Sequence, residues 1–82
     1  MTEHKLKKCN ELAKQIKEIE NNIEISKFTQ SENVPQRPMF IEFLGHDQVL
    51  KAPDTLFKII GKLILNEYQQ KLIKLETEFN NL

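Results

Sequence analysis

Apolar residues return at alternating steps of three and four at both ends of this chain, and that spacing commits most of its length to paired helices. From Glu3 to about Lys27 the apolar positions are Leu6, Cys9, Leu12, Ala13, Ile16, Ile19 and Ile23. With Cys9 at position a, the series Leu12, Ile16, Ile19 and Ile23 fills alternating d and a positions of a heptad, and Leu6 and Ala13 widen the stripe. Lys, Glu, Asn and Gln occupy most other positions. Strong helix formers dominate, no Gly or Pro interrupts, and Thr2 can cap the N-terminus. The expected helix, residues 3–27, is roughly 38 Å long at 1.5 Å per residue.

The composition changes abruptly at FTQSENVPQRP, residues 28–38, where Pro35 and Pro38 force extended backbone before them and end the helix. This segment reads as a surface loop. A hairpin is expected over residues 39–52. The run from Met39 to Leu44 is rich in strand formers, Gly45-His46-Asp47 has turn chemistry, and Gln48 to Lys51 alternates polar with apolar. In the first strand Met39, Ile41 and Phe43 share one face while Phe40, Glu42 and Leu44 share the other, so both faces carry large apolar groups.

A second helix is expected from about residue 53 to residue 82, with Pro53 and Asp54 suited to its first turn. Its first half carries Leu56, Phe57, Ile59, Ile60, Leu63, Ile64 and Leu65, well over half of the circumference. Its second half narrows to one seam: Tyr68, Leu72, Leu75, Phe79 and Leu82. Gly61 sits in the broad section, where close approach of another element is the usual compensation for its low helix propensity.

The fold class these elements imply is α+β and mostly helical: two long antiparallel amphipathic helices joined by a β-hairpin, in one domain spanning 1–82. The hairpin reverses the chain and is expected to cover the apolar start of the second helix. A two-stranded ribbon is not stable alone in water, and one chain has more apolar surface than it can cover. The expected state is therefore a homodimer or higher even-numbered oligomer, built as a dimeric coiled coil or four-helix bundle, with hairpins paired edge to edge or helical pairs packed together. If each chain buries about 800 Å² more in a dimer, at about 25 cal/mol per Å² of its apolar part, the gain is on the order of 10 kcal/mol before association costs. The interface candidates are Ile16, Ile23, Phe40, Leu44, Ile60, Ile64, Tyr68, Leu72, Leu75 and Phe79.

A helix of the type KLKKCNELAKQIKEIE, the hairpin MFIEFLGHDQVLKAP and a final helix ending YQQKLIKLETEFNNL together resemble small uncharacterised proteins of bacteriophages and integrated mobile elements. The outline is also similar to prefoldin subunits, in which a hairpin joins two longer coiled-coil helices. Neither resemblance implies a role for any particular residue.

The 12 basic and 12 acidic residues cancel, so no net field steers the chain toward nucleic acid or an anionic membrane. Cys9 has no second cysteine to pair with and reads as a small apolar side chain. The polar stretch Met1 to Lys8 does not resemble a signal peptide, and the apolar run Ile59 to Leu65 contains Lys62 and is too short to cross a bilayer. A cytoplasmic location and no membrane partner are expected. His4 and Cys9 lie about 140° apart on a helix and cannot share a metal from one face. His46 and Asp47 belong to a solvated turn, and Glu42 either pairs with Lys51 across the strands or points to solvent. No phosphate loop, zinc-protease signature or cysteine pair occurs, so no catalytic, cofactor or metal residue is expected and the chain does not read as an enzyme.

Three readings of function remain. The first is a non-enzymatic protein-protein interaction or assembly protein, acting with itself and with a protein partner of unknown identity. The second is a small nucleic-acid-associated regulator using Lys5, Lys7, Lys8, Lys14 and Lys17 to contact phosphates. Interleaved Glu3, Glu11, Glu18 and Glu20 weigh against the second, since alternating signs typify a solvated coiled-coil exterior. A third reading, a clamp holding clients at the helix tips, draws on Phe28, Phe79 and Leu82.

Overall fold

The structure, a computed structural model, describes residues 2–82; Met1, the first residue of the polar N-terminal stretch, lies outside them. Helix α1 spans Glu3–Lys27, strand β1 Met39–Glu42, strand β2 Val49–Ala52 and helix α2 Phe57–Asn80. Thr2 caps α1 as its sequence position suggests, its Oγ1 accepting from the Lys5 amide at 3.2 Å. The molecule is mostly helical, with one two-stranded antiparallel ribbon.

Three boundaries differ from the sequence expectation. Residues Phe28–Gln30 continue α1 as a 3-10 turn before the loop begins, because the first strongly restricting residue, Pro35, lies seven positions after Phe28. Asp54–Leu56 form another 3-10 turn, so α2 proper begins at Phe57 rather than near Pro53. The first strand is also shorter than its run of strand formers, and the second lies one residue later than Gln48 to Lys51. Phe43 and Leu44 leave the ladder because the Phe43 carbonyl accepts from the His46 amide at 3.1 Å, closing a turn over Phe43-Leu44-Gly45-His46. Gly45 has φ +90° and no other described residue has positive φ, the signature of a type II turn with glycine third. His46 Nδ1 then accepts from the Gln48 amide at 3.1 Å and carries the chain into β2.

The ladder pairs Met39 with Ala52, Phe40 with Lys51, Ile41 with Leu50 and Glu42 with Val49. Glu42 thus faces Val49, not Lys51, and is exposed to solvent.

α1 and α2 pack antiparallel along the heptad seam. On α1 the covered positions are Cys9, Leu12, Ile16, Ile19, Ile23 and Ser26, an unbroken run of three- and four-residue steps. On α2 they are Phe57, Gly61, Leu65, Tyr68, Leu72 and Leu75. The apolar core in the strict sense is small: Leu12, Ile23, Ala52 and Phe57. The extents of 50 × 34 × 14 Å describe an elongated, flat molecule.

The hairpin does not cover the start of α2, as its position in the chain suggests it should. It makes only sparse contact with either helix, and Leu56, Ile59, Leu63 and Ile64 remain exposed. The cause lies in the anchoring. Ala52 at the root is buried and Met39 opposite it is half-buried, but four residues per strand carry the ribbon away from the helices before it turns.

Candidate assembly surface

The turn that ends α1 crosses α2 in close contact where Thr29 meets Gly61. A Cβ on Gly61 would fall inside the Thr29 side chain, with Cγ2 only 2.8 Å away. Both Thr29 and Ser26 are buried, and each satisfies its hydroxyl on the helix it leaves. Ser26 Oγ donates to the Asn22 carbonyl at 2.8 Å and Thr29 Oγ1 to the Ser26 carbonyl at 2.7 Å. The Gln30 amide nitrogen lies 2.8 Å from Thr29 Oγ1 and 2.8 Å from the Lys58 carbonyl of α2, joining the two helices at their close point. Backbones brought this near by small and polar residues leave the larger neighbours standing proud on either side.

The loop after the crossing is fastened beneath it. Arg37 lies 5.5 Å from the centroid of the Phe28 ring and 6.0 Å from that of Phe57, within cation–π range of both. The Gln36 side-chain amide lies 3.2 Å from the Asp54 carbonyl and 2.7 Å from that of Thr55, two acceptors that its nitrogen satisfies and its oxygen does not. These contacts fix where the ribbon leaves the helical pair.

Above the crossing lies an open hollow of about 260 Å³, floored by Ser26, Thr29 and Gly61 and walled by Ile25, Met39, Ile64 and Tyr68. A second hollow on α2, lined by Leu63, Glu67 and Lys71, also borders Ile64 and Tyr68. Apolar groups around it face water: Ile25 is 63% exposed and Leu63 62%. On the ribbon Phe40 is 70% exposed and Leu44, at the turn, fully so. Leu50, Val49 and Phe43 are also uncovered. Contiguous exposed apolar residues are the usual mark of an association surface, whereas scattered ones carry no such meaning, and this makes the region the candidate.

The candidates named from sequence divide between two places. Ile16, Ile23, Tyr68, Leu72 and Leu75 lie in the seam between the chain's own helices. Phe40, Leu44, Ile64 and Phe79 are exposed and Ile60 half-buried. Sequence reasoning passed over Ile25 and Leu63 as individual members of the surface. Ile25 falls outside the heptad series, which is the signal that marks it: an isoleucine off the seam is not covered by the helix pairing.

The lysines of α1 are all exposed among exposed glutamates. The one ion pair among the described residues, Lys27 to Glu24 at 3.3 Å, is itself exposed. Among the described residues no group of three or more His, Cys, Asp and Glu could hold a metal ion, and no helix is long and apolar enough to cross a membrane. No protein-family model matches the chain, and no curated protein or solved structure is significantly similar to it.

Proposed function

We propose that this chain is a non-enzymatic assembly protein whose working unit is a homodimer or larger even-numbered oligomer, with protein-protein association as its biochemical activity. The observation that carries the reading is the excess of surface. The chain exposes 6830 Å², whereas a compact monomer of 9.7 kDa exposes about 5,100 Å² by the usual scaling. The surplus of about 1,700 Å² exceeds the roughly 800 Å² each partner contributes to a standard interface. Phe40, Leu44, Val49 and Leu50 are among the uncovered residues, on a ribbon too small to be stable without cover. The cytoplasmic setting, and its origin in a bacteriophage or integrated element, rest on sequence character and layout alone.

Sedimentation equilibrium at micromolar concentration tests the proposal. A mass of two protomers, or a higher even multiple, supports it, and a folded single-chain species overturns it.

A further inference from the structure

The assembly reading leaves open which surfaces meet. Edge-to-edge pairing of two ribbons would satisfy the free backbone groups of the outer strand edges. It would leave both ribbon faces wet, with Phe40 and Leu44 no better covered than before. The uncovered area is on faces, so a face has to be supplied. Packing the backs of two helical pairs together covers Leu63 and Ile64 but again leaves the ribbon unsupported.

One arrangement answers both needs. We propose that a second copy of this chain lays its ribbon across the hollow walled by Ile25, Ile64 and Tyr68, while its own hollow receives the ribbon of the first. This rests on the assembly reading and specifies its geometry. Met39 belongs to the ribbon and also lines the hollow, so giver and receiver form one continuous patch on each chain. Related by a two-fold axis, each ribbon meets the other copy's hollow, and the dimer closes without leaving a free end to propagate. The area is sufficient: the surplus of about 1,700 Å² per chain, against the scaling for compact monomers, accommodates the roughly 800 Å² that a stable dimer takes from each partner. Glu67 and Lys71, which line the second hollow beyond Ile64 and Tyr68, then fall at the rim, where charged groups are tolerated.

The test mixes isotope-labelled with unlabelled full-length protein and records only nuclear Overhauser effects between copies, alongside sedimentation equilibrium on the same sample. Cross-peaks from Phe40 or Leu44 of one copy to Ile25 or Ile64 of the other are the expected result. A dimer whose intermolecular cross-peaks run only ribbon to ribbon, or only helix to helix, overturns the ribbon-on-hollow arrangement and leaves the assembly reading standing. A monomer overturns both. Two variants at exposed sites, Leu44→Glu and Ile64→Glu, provide an independent check, with circular dichroism confirming retained helix. Each is expected to weaken dimerisation by about 30-fold or more, the effect of disrupting an apolar anchor at the centre of an interface. Folded variants that dimerise as tightly as the parent overturn the proposal.

Discussion

Replacing Gly61 by alanine sets two physical effects against each other at one position. In an exposed helix the change stabilises by about 1 kcal/mol, since alanine is the best helix former and glycine loses the most backbone freedom on folding. Here the new methyl would occupy space held by the Thr29 side chain. Thr29 cannot simply rotate away, because its hydroxyl donates to the Ser26 carbonyl at 2.7 Å and lies 2.8 Å from the Gln30 amide nitrogen. Giving up those two bonds costs about 1 kcal/mol each. Moving the helices apart instead carries an overpacking cost of about 1–3 kcal/mol and stretches the link from Gln30 to the Lys58 carbonyl. The chain takes the cheaper route, so the expected net effect of Gly61→Ala is a loss of about 1 kcal/mol, the clash outweighing the propensity gain. Urea unfolding followed by circular dichroism at fixed protein concentration reads this directly. Thermal melting should show Tm lowered by about 4–8 °C per kcal/mol for a domain of this size. Adding Thr29→Gly, which vacates the contested space, should make the second substitution less costly than it is alone. A Gly61→Ala variant as stable as the parent, or more so, would refute the close crossing.

Gly45→Ala isolates the conformational cost without a clash, since a Cβ there meets nothing within 4 Å but φ is +90°; the expected loss is about 1–2 kcal/mol, read by chemical unfolding. Arg37→Ala removes the cation seated between Phe28 and Phe57 and should cost about 1–2 kcal/mol across the two rings, with amide hydrogen exchange accelerated first in residues 31–38. In a gel-shift titration with duplex DNA, the alternating charges of α1 predict no retention that weakens with added salt.

The heptad steps made the helical pair legible in the sequence, and the reason is physical. One seam on each helix, from Cys9 to Ile23 and from Tyr68 to Leu75, is a local pattern whose partner is supplied by the same chain. The Thr2 cap and Gly61 were equally readable, because each answers a requirement of its own helix. The hairpin's existence was legible from strand formers around a glycine turn, but its placement was not. Whether a ribbon folds back over Leu56 to Ile64 depends on the direction in which the loop releases it. That direction is set by Arg37 and Gln36 reaching residues about 20 positions away. The strand ends shifted for a similar reason: Phe43 and Leu44 have strand propensity, yet the turn closed by Gly45 at positive φ takes them out of the ladder. Of the candidate assembly surface, Phe40, Leu44 and Ile64 stood out as apolar residues in excess of what one chain hides. Ile25 and Leu63 became visible only when the crossing showed which sides of the helices lie bare.

The mass of the particle in dilute solution bears most directly on all of this. Sedimentation equilibrium across a micromolar range should return twice 9.7 kDa, or an even multiple of it, with dissociation accompanied by loss of ribbon structure. A stable 9.7-kDa species retaining both helices and an ordered ribbon at every concentration would contradict the account.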